Sequence, residues 1–183
     1  MPKPVHFDGT SAGPADKRAD ELPRSDRQNI SSPSPTLADR HVISDLATDT
    51  DDAADLPDHV NPTALAVARG EVDRGIFVDG VGYGSAMIAN KIAGVYAAVC
   101  QDPSCAERAH SHSNTSVPCI GGKIIGSAIA LEIVRVWMAT GWLGEGERGE
   151  KYARRVNKVK EIDARWCWAG WRSARRPLAQ SAS

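Results

Sequence analysis

The sequence predicts an α/β domain built on a parallel sheet, and three observations carry that expectation. Short apolar runs at Ile76-Phe77-Val78, Val95–Cys100 and Val117–Ile120 alternate with helical patterns at Ser85–Ile92, Pro103–His110 and Ile124–Thr140. Strands separated by helices at this rhythm pair in parallel and are covered on both faces. A chain of 183 residues has room for one such core, and its 42% apolar and 25% charged residues are globular proportions.

The elements follow in order. Residues 1–40 are rich in Pro, Ser, Asp, Arg and Lys, and Ser31-Ser32-Pro33-Ser34-Pro35 breaks any helix begun at Ala15–Leu22. Such a segment buries too little apolar surface to offset its ordering entropy, so disorder is expected there. Order is expected from His41. Val42-Ile43 opens a short strand, an acidic loop through Asp49, Asp51, Asp52, Asp55 and Asp58 follows, and Pro62–Arg69 reads as a helix stopped by Gly70. After the alternating core comes a charged helix, Arg148–Arg165, with Tyr152, Val156, Val159 and Ile162 near one face. The expected organisation is therefore a disordered or degenerate segment 1–40, an α/β domain 41–165 and a Trp/Arg-rich tail 166–183. The tail reads as a helix end docking on the domain or on a second subunit, then fraying, in preference to a nucleic-acid arm, because no other part of the chain is basic.

Composition narrows the partners. A formal net charge of −1 gives no electrostatic reason to expect nucleic acid or an anionic membrane. No apolar run approaches the roughly 18–20 residues of a bilayer span, and the first thirty residues lack the apolar core of a secretory signal. Cys100, Cys105, Cys119 and Cys167 show no CxxC or metal-ligand spacing. Free thiols in a reducing, cytoplasmic compartment are the expectation.

The stretch Gly75–Lys91 (GIFVDGVGYGSAMIANK) carries the chemistry. A buried strand delivers Asp79 to a turn holding Gly80, Gly82 and Gly84, and a helix starts at once. Glycine at alternate positions admits positive φ and close approach of a ligand. Exposed N–H groups at the helix start then favour an anion, at the sheet edge where parallel α/β folds bind ligands. The spacing is GxGxG, so the dinucleotide fingerprint and the acidic residue it needs downstream are absent, which argues against a nicotinamide-dependent oxidoreductase. An aspartate directly after three apolar strand residues is costly unless its charge is used.

These residues bring a family into view. VISDLATDTDDAADLP, ARGEVDRGIFVDGVGYGSAMIANKIAGVYAAVC, AHSHSNTSVPCIGGKIIG and EKYARRV, in that order and spacing, resemble the type B ribose-5-phosphate isomerases and the related galactose-6-phosphate isomerase subunits. The likeness runs from about His41 to Asp163, about two-thirds of the chain. It implies a Rossmann-like three-layer fold with a parallel sheet of about five strands, working as a homodimer or a dimer of dimers. It also implies an aldose–ketose isomerase of sugar phosphates that needs no metal or organic cofactor. The developing enediolate oxygen would be stabilised by the N–H groups of the turn Gly80–Gly84 (Gly80, Val81, Gly82, Tyr83, Gly84), with a general base beside it.

The resemblance distributes further roles. Many relatives carry a cysteine base where this chain has Asp79, and others a glutamate where it has Ser85, so Asp79 is the local base candidate. An aspartate titrates near about 3.9 against about 8.5 for cysteine, so it needs desolvation to act as a base. Val81 stands where relatives usually offer a hydroxyl. His112 matches the histidine that assists ring opening, followed by Ser113 in place of Asn. Lys123, Lys151 and Arg155 stand at the phosphate-binding arginine positions, and the i,i+4 pair Lys151 and Arg155 shares a helical face. His110 and His112 form a His-x-His pair with no companion ligands, which is not expected to hold a metal. Two departures stand out: Leu56 replaces the tyrosine of an Asp-Tyr-Pro element, and the Asp-His pair that ends the family's first strand has only His6-Phe7-Asp8-Gly9 as a counterpart. Either the first strand is degenerate or missing, or the substrate is held differently. The alternative function is a relative that binds a phosphorylated ligand or a protein partner without turnover.

Overall fold

The structure is a computed structural model that describes residues 5–9, 43–45, 55–146 and 148–166. The elements run β1 (Val5–Gly9), β2 (Ile43–Asp45), α1 (Leu56–Ala68), β3 (Arg74–Asp79), α2 (Tyr83–Ala89), β4 (Ala97–Val99), α3 (Pro103–Ser113), β5 (Val117–Gly121), α4 (Ser127–Ala139), a 3₁₀ turn (Leu143–Glu145) and α5 (Glu150–Trp166). The strands form one five-stranded sheet in the order β2-β1-β3-β5-β4, with every pairing parallel.

The first strand departs from expectation. Val5–Gly9, read from sequence as part of a disordered or degenerate segment, is β1. It pairs along its whole length with β3 and through Val5, His6 and Phe7 with β2. Its mixed composition hid it, because a strand inside a parallel sheet is held by backbone ladders on both sides and not by its side-chain pattern alone. The rest of the expected disorder, most of the acidic loop and the tail beyond residue 166 lie outside the described residues.

Both faces of the sheet are covered. Ile76, Val78 and Ile120 pack with Ile133, Val134 and Trp137 of α4 and Ala106 of α3. The alternate positions Phe77, Val117 and Cys119 face Val60 and Ala64 of α1 and Ala86 and Ala89 of α2. A period-two strand buried on both sides yields this pair of half-cores. α1 begins at Leu56, earlier than the expected Pro62, because Pro57 lies in the first turn, where its missing N–H costs nothing. No helix among the described residues is long and apolar enough to cross a membrane.

The strand order reverses direction beside β1. The chain moves outward to β2 and then crosses to β3 on the other side. Such a reversal opens a crevice at the carboxyl ends of the strands, where Asp79 ends β3.

Candidate active site

Asp79 is buried, with 8% of its surface exposed. Its Oδ1 accepts the N–H of Val81 at 2.9 Å and that of Gly82, while Oδ2 accepts the N–H of Ser85 at 2.9 Å. Gly82 is the N-cap of α2, has φ 82°, and has no side chain to cap the helix. The carboxylate at the end of β3 therefore performs the capping, and the helix dipole favours its charge. This use of Asp79 was not foreseen from the sequence. Two N–H groups expected to face a developing oxyanion, those of Val81 and Gly82, are already bound to the chain's own carboxylate. An acidic residue three positions ahead of an uncapped helix start was the available signal.

The surrounding loops close on this turn. The N–H of Gly122 donates to the Asp79 carbonyl at 2.6 Å and that of Lys123 to Gly80 at 2.9 Å. The Lys123 stem runs past Gly80, where an added Cβ would sit 3.5 Å from Cδ. A Cβ on Gly82 would meet the Cys119 carbonyl oxygen at 3.1 Å, and one on Gly84 would stand 2.5 Å from Cδ2 of Leu56. Glycine is needed at 82 for its backbone angle, and at 84 because Leu56 lies across the helix start. Asp79, Gly80, Val81, Gly82, Gly84, Ser85 and Lys123 are thus brought together.

Two free thiols, Cys100 and Cys119, are buried in the sheet. Burial pushes the Cys119 thiol far up, against a hydrogen bond from Ser85 that lowers it. Burial likewise pushes Cys100 up to about 12.

The remaining expected site residues form a second cluster. His112 and Ser113 end α3, which runs from just after β4 back to the start of β5. They sit at the amino edge of the sheet, opposite Asp79. The His112 ring stacks on Tyr152, centroids 4.7 Å apart at 24°. Nζ of Lys151 lies 4.8 Å from the Tyr152 ring centroid. His112, Ser113, Tyr152 and Arg155 line a cavity of about 510 Å³. One chain therefore holds two half-sets, and does not itself bring His112, Lys151 or Arg155 to Asp79. Tyr152, read from sequence only as part of the helix's apolar face, lies between His112 and Lys151.

His110 has a different occupation. Residues two apart on a helix point about 200° apart, and His110 faces inward. Its Nδ1 lies 2.9 Å from the Thr115 carbonyl, to which it donates, leaving Nε2 to accept from Arg74 at 3.2 Å. Its ring also meets Trp137 edge-on at 5.1 Å, and the Arg74 guanidinium lies 4.9 Å from the Trp137 ring centroid. Burial lowers the His110 pKa, with Arg74 adding to the effect and the Thr115 carbonyl opposing it. The His-x-His pair does not converge on one point.

Comparison with known proteins matches this geometry to a family. A family model described as Ribose/Galactose Isomerase matches residues 34–159. Ribose-5-phosphate isomerase B of Escherichia coli strain K12 is 36% identical over 130 residues, spanning 70% of this chain and 84% of that protein. D-erythrulose-4-phosphate isomerase of Pectobacterium atrosepticum is 35% identical over 103 residues, spanning 56% and 64%. Among solved structures, type B ribose 5-phosphate isomerase from Trypanosoma cruzi superposes with a TM-score of 0.74 at 28% identity, covering 87% of this chain and 99% of that one. The family match over residues 34–159, the 36% identity to the E. coli isomerase and the superposition on the T. cruzi structure lead to one conclusion: the chain belongs to the ribose/galactose isomerase family.

Proposed function

We propose that this chain is a sugar-phosphate isomerase that interconverts an aldose and a ketose through an enediolate, with Asp79 as the base. The observation that carries the reading is the buried Asp79 carboxylate at the crevice, held by three N–H groups at the head of α2. An ionised carboxylate offers about four lone-pair sites, so three accepted bonds leave one for a substrate proton. The N–H groups of Tyr83 and Gly84, in the first turn of α2, have no partner among the described residues. They take the oxyanion role that Val81 and Gly82 cannot fill. The chemistry moves a proton between adjacent carbons and calls for no cofactor.

The second cluster enters through a second copy of the chain. A homodimer that sets one protomer's turn against its partner's α3 and α5 unites Asp79 and Lys123 with the partner's imidazole, hydroxyl and phosphate-binding cations. Those groups are supplied by positions His112, Ser113, Lys151 and Arg155. The turn carries apolar surface suited to such a contact: Val81, Tyr83, Met87 and Ile124 are 40–64% exposed. The basic i,i+4 pair on α5 then holds the phosphate. Ribulose 5-phosphate and ribose 5-phosphate are the first substrates to test, since the E. coli relative is named for ribose 5-phosphate. Four-carbon sugar phosphates come next, given the erythrulose-4-phosphate isomerase relative.

The test is a panel of aldose and ketose phosphates followed by NMR in D2O, reading both net conversion and exchange of the α-proton. Asp79→Asn, checked for native circular dichroism, is expected to lose both; undiminished turnover would overturn the role of Asp79. Mixing inactive Asp79→Asn protomers with strongly impaired but measurably active His112→Ala protomers should bring activity to about a quarter of wild type, because half the dimers then carry one intact site of two. No recovery after verified subunit exchange would refute the shared site. Tight binding across the panel without any exchange would favour a non-catalytic relative whose cradle is filled by Asp79.

A further inference from the structure

We propose that Tyr152 is the positioning residue for the His112 imidazole, holding the ring by its face so that both nitrogens stay free for the sugar's ring oxygen and hydroxyl. This rests on the isomerase reading above and adds to it a residue that the reaction does not itself require.

The contrast between two histidines on one helix carries the inference. Both nitrogens of His110 are engaged, one by the Thr115 carbonyl and one by Arg74, so that ring has nothing left to exchange with a ligand. His112 is half-buried, and among the described residues neither of its ring nitrogens has a hydrogen-bond partner. An imidazole in that condition ordinarily turns about its side-chain torsions. The contact that restrains this one is face-to-face stacking on Tyr152, at 4.7 Å and 24°. Stacking fixes the plane of a ring and uses none of its in-plane lone pairs or N–H bonds, which is what a proton-transfer group needs.

The backbone on either side supports the arrangement. Asn114 follows in the left-handed region at φ 51° and closes α3, so the main chain under His112 is set. Tyr152 sits in the first turn of α5, whose start is fixed by N–H bonds from Tyr152 and Ala153 to Gly149. The ammonium of Lys151 lies 4.8 Å from the centroid of the same phenol ring. One aromatic ring thus ties the orientation of the ring-opening group on α3 to a phosphate-binding cation on α5. Positioning of this kind acts on turnover, because small displacements of a proton-transfer group cost rate steeply.

The experiment compares Tyr152→Leu and Tyr152→Phe in the full chain, each alone and combined with His112→Ala, using ribose 5-phosphate. Tyr152→Leu is expected to lower kcat about tenfold or more with little change in KM, and Tyr152→Phe, which keeps the ring face, recovers most of that loss. In the His112→Ala background Tyr152→Leu should produce no further loss, since the two residues act as one unit. Independently of activity, the carbon-bound ring protons of His112, assigned by their disappearance in His112→Ala, should move downfield in Tyr152→Leu and stay in place in Tyr152→Phe. An unmoved His112 resonance, or equal losses from Tyr152→Leu in both backgrounds, would overturn the proposal. A wild-type chain inactive on every sugar phosphate would instead overturn the isomerase reading, leaving the resonance shift to decide the stacking role.

Discussion

Replacing Asp79 with asparagine should destabilise the turn that heads α2, and the size of the effect follows from its bonds. The carboxylate accepts N–H bonds from Val81, Gly82 and Ser85. An amide keeps one acceptor oxygen, which can serve Val81 and Gly82, but sets an NH2 group against the Ser85 N–H. Ser85 is fully buried, so that donor is left without a partner or water. Loss of a hydrogen bond to a charged group costs about 1.5–3 kcal/mol, and loss of the charge at the helix start about 0.3–1 kcal/mol more. The sum, about 2–4 kcal/mol, corresponds to a fall in Tm of roughly 4–16 °C for a domain of this size. Screening by solvent barely reduces it, because Asp79 is 8% exposed. The assay is thermal unfolding followed by circular dichroism at matched protein concentration, since an oligomer's Tm depends on concentration. A Tm within about 2 °C of wild type, below the range expected for this loss, would show that the carboxylate does not cap α2.

Three other outcomes are expected. His110 is held neutral with a lowered pKa, so the unfolded state takes up its proton first as pH falls; stability from this group is full above about 6.5 and declines below it. Urea midpoints should therefore drop between pH 7.5 and 5.5, less so in His110→Gln, and a rise in wild type would contradict the assignment. Gly82→Ala forces a side chain into φ 82° and against the Cys119 carbonyl, with an expected loss of about 1–3 kcal/mol by urea denaturation; a neutral result would refute the need for glycine there. Cys100 and Cys119 are buried with raised pKa values, so a thiol reagent at pH 8 should reach the exposed Cys105 in the native chain and these two only after unfolding; rapid native labelling of Cys119 would show that the turn opens.

Much of the fold was legible in advance. Ile76-Phe77-Val78 ends in Asp79, three glycines and a helix start, and the structure has β3, the turn and α2 at those places. The alternation of apolar runs and helical patterns anticipated a parallel sheet covered on both sides. β1 was not legible. Val5–Gly9 is short, chemically mixed and separated from β2 by more than thirty residues of mainly polar and proline-rich sequence, so only its partners reveal it. α1 starts six residues before the helix expected at Pro62, because Pro57 is the proline of its first turn and Pro62 lies inside the helix.

The site divides in the same way. Spacing marked Asp79 and the glycines, and the family resemblance marked His112, Lys123, Lys151 and Arg155. They did not say that Asp79 would turn back onto the N–H groups behind it, nor that the second set would gather at the far edge of the sheet. His110 and His112 are the same residue two positions apart, and nothing local separates them. Arg74 and Trp137 saturate one, and Tyr152 stacks on the other. By itself the sequence determined what its local physics controls: element type through periodicity, the strand-to-helix turn through glycine spacing, and the presence of basic residues on one helical face. Only the tertiary structure decided which donors remain free, which histidine is available and how the half-sites are divided. Those outcomes depend on contacts between residues distant in the chain, and no local preference encodes them.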